Sequence, residues 1–185
     1  MTKRPPNTHI QVIACANQAW ARLNLSPPCD LQAVCDFLDI TVDKCMMYND
    51  TYGMFMRLPD GREIIKINSC LSYQQMRFTW AHEICHSITT TGPVTLECRA
   101  SFDEEQLCSQ FARHLLVPDE VLSRECARLG HPENNRFGAL AELFQVTKEL
   151  MGERLKETGL DRPQVSQEGR RSALKVFKDL GVEWP

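Results

Sequence analysis

The apolar residues of this chain change their period twice, and that change constrains the fold more than any single motif. From His9 to Leu25, Ile10, Ile13, Ala14, Ala16, Trp20, Ala21 and Leu23 recur mostly at helical spacing, until Ser26-Pro27-Pro28 ends the pattern. Asp30 can cap a second helix carrying Leu31, Val34, Cys35 and Leu38. Ile40–Cys45, Tyr52–Arg57 and Glu63–Asn68 then read as strands, with Pro59-Asp60-Gly61 as a hairpin turn. Helical spacing returns after Ser72, which with Gln75 has the capping-box pattern, and runs to about Ile88. Thr89 to Pro93 breaks it. Ser101 and Glu104 repeat the capping-box spacing and open a helix over Phe102–Leu116, which Pro118 separates from another over Asp119–Leu129.

His131 to Asn135 reads as a loop. Ala139–Thr158 reads as two short helices around Gln145-Val146-Thr147, a helix-turn-helix-like arrangement. Asp161–Gly169 is turn-rich, and Ser172–Leu180 suits one last short helix. Helices, a small sheet, then helices imply an α+β fold. The expected organisation is a disordered stretch over 1–8, a core domain over 9–130 and a helical extension over 136–185.

Composition narrows the functional classes. A formal net charge of -3 in 185 residues supplies no basic field for nucleic acid. No apolar run reaches membrane-spanning length, and the N-terminus has no signal-peptide pattern. The nine cysteines are odd in number, scattered and without C-x-x-C, so they read as small buried apolar residues in a reducing, cytoplasmic setting.

The chemistry concentrates in Ala81-His82-Glu83-Ile84-Cys85-His86-Ser87, an H-E-x-x-H segment. Residues four apart on a helix lie about 40° apart on one face, so both imidazoles can aim at one ion. Glu83 sits beside that face, placed to act as a general base rather than as a ligand. The same motif arises by chance on amphipathic helices. Here Trp80, Ile84 and Ile88 supply an apolar stripe that would bury this one.

A catalytic zinc site needs a third protein ligand and an open position. Asp103, Glu104 and Glu105 are the downstream candidates, although acids also favour a helix N-terminus for its own sake. The capping box partly accounts for Glu104, and Cys108, Phe111 and Ala112 form an apolar seam near Glu105. Cys70-Leu71-Ser72 offers a thiolate alternative similar to the metal cysteine of peptide deformylases, but it lies closer to His82 than that pattern suggests.

Four blocks in order carry a more specific likeness: Tyr52-Gly53, Ile64 to Asn68, Arg77 to His86, and Glu105 to Pro118. Together they resemble the ImmA/IrrE family of zinc metallopeptidases, over roughly Leu31 to Leu129. Cys108 stands where that family usually has alanine, and Cys85 where it has a small residue. Ala139–Leu160 is similar to the helix-turn-helix-like segment that often follows.

The resemblance implies a zincin-like, specifically gluzincin-like, core with a small antiparallel or mixed sheet beside the active-site helix. It implies zinc held by His82, His86 and Glu105, with Glu83 catalytic; manganese or iron would also suit such donors. It further implies cleavage of a helix-turn-helix transcriptional repressor, relieving repression. The competing reading is a non-catalytic, metal-stabilised module that binds a repressor or antitoxin-like partner.

For substrate contacts, the strand Glu63–Asn68, taken as a sheet edge, offers Ile65, Ile67 and Asn68. Arg77 is a further substrate-contact candidate; it would otherwise orient the active-site helix or a carboxylate behind the ligands, or sit on the surface as a plain cation. His114 lies about 180° round its helix from Glu105 and receives no role. Lys148, Arg154 and Lys156 are matched by Glu149, Glu153 and Glu157, so direct DNA binding by the last helix pair is not expected. Arg170, Arg171, Lys175 and Lys178 read as a solvated face.

Overall fold

The computed structural model describes residues 7–48, 50–90, 101–129 and 136–161. Helices α1 (His9–Leu23) and α2 (Leu31–Leu38) precede strands β1 (Ile40–Cys45), β2 (Gly53–Arg57) and β3 (Glu63–Asn68). Helices α3 (Tyr73–Thr89), α4 (Phe102–Leu116), α5 (Asp119–Arg128), α6 (Arg136–Phe144) and α7 (Lys148–Glu157) follow. This is the expected α+β order. The loop over 131–135, the basic residues 170–178 and the last helix over 172–180 lie outside the described residues, as do residues 1–6.

Side-chain caps set the helix starts. Thr8, Asp30, Ser72, Ser101 and Thr147 each accept a backbone N–H from the first turn, satisfying a donor that has no partner within the helix. At α3 the capping box is complete, with the Gln75 side chain returning to the Ser72 backbone. The Pro59-Asp60-Gly61 turn forms as expected. Gly61 takes φ 90°, a conformation that costs glycine little, and its N–H donates to Leu58 O at 2.9 Å.

The sheet corrects one expectation. Its order is β1-β3-β2, with β1 parallel and β2 antiparallel to β3. Glu63–Asn68 is therefore the central strand, not an edge. Its backbone groups are taken up on both sides, and among the described residues the edge beside the site is β2. The residue pattern agrees: Ile65 and Ile67 are fully buried in the core with Phe55, Ala81 and Ile84.

Asn68 is also turned inward. Its amide donates to Met47 O and Thr51 O, and its oxygen accepts from Cys70 N–H at 3.0 Å, which closes the connection between β1 and β2. Arg77 is buried as well and ties α3 to the loop before α2, with Nη2 donating to Cys29 O at 2.8 Å and Tyr73 beneath the guanidinium.

Two long-range contacts hold α3 and α4 in place. Trp20 of α1 donates its indole N–H to Leu115 O at 2.7 Å, locking α1 on α4. Arg57 of β2 reaches the C-terminal end of α3, donating to Ser87 O and Thr90 O, each at 2.7 Å, while Glu63 neutralises it at 2.6 Å. A cation at that end meets both unpaired carbonyls and the negative pole of the helix dipole.

None of the eight described cysteines forms a disulfide. Burial pushes Cys29 up to about 12 and Cys35 up to about 11, as expected of thiols packed as apolar groups. No described helix is long and apolar enough to cross a membrane.

The last two helices pack back on the rest of the chain. Leu150, Met151 and Leu155 of α7 are buried, and so is Arg154 between them. Its guanidinium donates to Val117 O, the C-cap of α4, at 3.0 and 3.1 Å, and also pairs with Asp119 and Glu157. A cation of α7 is thus held inside the protein rather than on its surface. Arg154→Met should cost about 3 kcal/mol by leaving the buried Val117 carbonyl without its donor and removing the cation that Asp119 and Glu157 share. For a chain of this size, that lowers Tm by about 6–12 °C in a calorimetric melt. An unchanged Tm would refute the role.

Candidate metal centre

The site is assembled where α3 faces the N-terminal half of α4, beside β2. His82 and His86 stand one turn apart on α3, with ring centroids 5.1 Å apart. Glu105 approaches both. Its Oε2 lies 3.0 Å from His82 Nε2 and its Oε1 lies 3.6 Å from His86 Nε2. Donor atoms that share a tetrahedral zinc at about 2.0–2.1 Å sit about 3.3 Å from one another. The observed separations bracket that spacing, so the donor set suits such an ion in both chemistry and size. The His82 and His86 side chains are mostly buried, whereas that of Glu105 is 49% exposed, so the cluster opens to solvent on the α4 side.

Glu83 follows His82 on α3 and packs against β2. Its carboxylate accepts the backbone N–H of Phe55. Burial pushes this carboxyl up to about 7, with the negative charge of Glu105 adding to the effect and His86 opposing it. A carboxyl with that pKa exchanges a proton readily near neutrality.

Gly53 makes the close seat possible. A Cβ there would fall 2.4 Å from Thr79 Cγ2 and 3.0 Å from Glu83 Oε1. Any side chain on Gly53 would therefore have to displace the base or the helix that carries it.

The outer nitrogens of the two imidazoles are also engaged. Ser109 Oγ lies 3.4 Å from His82 Nδ1. His86 Nδ1 has two neighbours, Glu104 Oε1 at 3.5 Å and Cys108 Sγ at 3.6 Å. Cys108 is buried, and the Cys85 thiol beside it, together with His86, pulls its pKa down to about 6. Burial works against the charged form of His86, but its contact with Cys108 and the nearby carboxylates raise it overall. Burial and the proximity of His86 lower His82.

His82, His86 and Cys108 also form a cluster whose candidate ligand atoms lie within 4.8 Å of one another. In the sequence, Cys108 stands out only as a small residue of an apolar seam. Its position three residues after Glu105, on the same side of α4, was the available signal.

The sequence matches the IrrE N-terminal-like domain of peptidase family M78 over residues 38–156, well over half of the chain. The chain belongs to this family. Membership implies a metallopeptidase, and the matched region holds β1 to β3, both histidines, Glu83 and Glu105. It continues through α6 and most of α7, so the family's sequence pattern includes the helices that Arg154 anchors. No curated protein matches the sequence.

Of the sequence candidates, the structure brings His82, His86, Glu83 and Glu105 together. Ile65, Ile67, Asn68 and Arg77 are buried in structural contacts instead. Cys70 is exposed in the turn before α3 and is not part of the cluster. His114 is buried beside Arg154 and Gln110, at the far end of α4.

Proposed function

We propose that this chain is a zinc-dependent endopeptidase with a zincin-like core, in which His82, His86 and Glu105 hold the ion and Glu83 is the general base. One observation carries the reading: both Nε2 atoms face the two oxygens of one half-exposed carboxylate, with a buried, proton-exchanging carboxyl alongside. Manganese or iron would satisfy the same donors.

When bound, the ion supplies Lewis acidity, acidifying water and polarising the scissile carbonyl. The residues of the chain do the rest. Glu83 accepts a proton from the attacking water, holds it on the carboxylate facing β2 and passes it to the departing amine. The Phe55 N–H fixes that carboxylate, so little reorganisation precedes the transfer. The edge strand β2 gives an extended substrate segment a line of backbone groups to pair with.

The substrate class follows from the resemblance: a helix-turn-helix transcriptional repressor, cut in the cytoplasm to relieve repression. Residues Lys148–Glu157 are better suited to packing, or to meeting a protein, than to reading DNA, since Arg154 is buried. The alternative is a regulatory module that binds such a partner without cutting it. The His82, His86 and Cys108 cluster favours it to the extent that a thiolate could close the site.

The test is incubation of the chelator-stripped and zinc-reloaded protein with candidate helix-turn-helix repressors, followed by mass spectrometry. Cleavage at a defined bond only in the reloaded sample is the expected result. A zinc-loaded chain that binds the repressor and leaves it intact would transfer the assignment to the non-catalytic module.

A further inference from the structure

The Ser101–Glu104 spacing predicts a capping box, and only half of it forms. The Glu104 N–H donates to Ser101 Oγ at 3.2 Å, as a cap requires. The Glu104 side chain does not return to the helix N-terminus. Its Oε1 accepts the Thr90 hydroxyl at 2.6 Å and lies 3.5 Å from His86 Nδ1. Thr90 is itself the C-cap of α3, four residues after His86, and donates its backbone N–H to His86 O at 3.0 Å. The residue that ends the histidine helix thus also holds a carboxylate against one of that helix's rings.

We infer that Glu104, clasped by Thr90, is a positioning residue for His86. The inference rests on the metal site proposed above. An imidazole that ligates through Nε2 must carry its proton on Nδ1, and the acceptor at Nδ1 fixes both tautomer and ring orientation. Two acceptors compete here. Cys108 Sγ, at 3.6 Å, is also engaged with the Cys85 thiol and in reach of the Thr89 hydroxyl at 4.0 Å. Glu104 brings a carboxylate oxygen to 3.5 Å, and its second contact, to the Thr90 hydroxyl, holds it there. The Thr90 hydroxyl takes up part of the remaining acceptor capacity and stops the side chain from swinging into solvent, to which it is a quarter exposed. Glu104 touches neither the ion nor a substrate in this arrangement; it acts through His86.

The test is cobalt titration of the metal-free full chain, read by visible absorption, for wild type, Glu104→Ala, Thr90→Val and Thr90→Ser. Loss of such an outer partner weakens metal binding about 10–100-fold. Glu104→Ala and Thr90→Val should show that loss, together with shifted d–d bands that report a reoriented ligand. Thr90→Ser keeps the hydroxyl and should restore wild-type affinity and spectrum, which a purely structural role for Thr90 would not predict. Wild-type affinity and bands in both Glu104→Ala and Thr90→Val overturn the inference. If Glu104→Ala fails to fold, the Thr90 pair decides alone, and equal affinity in Val and Ser overturns it. A wild-type chain that binds no cobalt removes the metal site itself, and this inference with it.

Discussion

Glu83→Gln is expected to keep its metal and to lose hydrolysis by about 10²–10⁴-fold, the range for removing a positioned general base. The substitution is close to isosteric. Its amide oxygen can still accept the Phe55 N–H, and it leaves His82, His86 and Glu105 untouched. What it loses is the proton-accepting oxygen, which burial has tuned to about 7. The assay therefore pairs cleavage rate with metal content: unchanged stoichiometry with collapsed turnover is the expected signature. Gly53→Ala serves as its geometric companion. The new Cβ would overlap Thr79 Cγ2 at 2.4 Å, and relief requires β2 or α3 to shift by a large fraction of an ångström. Misplacement on that scale costs about 100-fold in rate while the ligands remain. A fully active Glu83→Gln enzyme would remove Glu83 from the chemistry altogether.

The parts of this fold that were legible in the sequence are those set by neighbours along the chain. Alternation located the three strands, and Ser72 with Gln75 marked the start of α3 because a cap acts within one turn. His82 and His86 followed from helical pitch alone. Strand order is a different kind of information, since the residue period of two says which face is buried but not which strand lies next to which. A hint was present in Ile64-Ile65, a break in strict alternation of the kind that belongs to a strand covered on both faces.

Arg77 takes the helix-orienting role, and the pitch of α3 explains it. Five positions before His82 is about 140° round the helix, which points it away from the metal face and toward Cys29 O. Glu104 has a local explanation in the sequence that hides its long-range contacts. A capping box accounted for its identity, and only the fold brings Thr90 and His86 to it across 14 and 18 residues of sequence.

The choice between Glu105 and Cys108 as third ligand can be forced by one pair of variants. Glu105→Ala should weaken zinc binding more than about 100-fold, beyond the loss expected from removing an outer partner, and abolish cleavage. Cys108→Ala should leave affinity within a few-fold. The argument is directional. Glu105 faces the Nε2 atoms of both rings, at 3.0 and 3.6 Å, whereas Cys108 Sγ faces Nδ1 of His86, on the opposite side of that ring. An ion held by both Nε2 atoms therefore has Glu105 in its shell and Cys108 behind one of its ligands. If the ion instead sat among His82, His86 and the Cys108 thiolate, a softer and more enclosed site would result, better suited to holding structure than to hydrolysis. Cobalt distinguishes the two, because a thiolate ligand adds an intense charge-transfer band in the near ultraviolet that carboxylate and imidazole lack. Tight binding by Glu105→Ala, with that band present in the wild type and lost in Cys108→Ala, would move the ion onto sulfur and leave Glu83 without a hydrolytic partner.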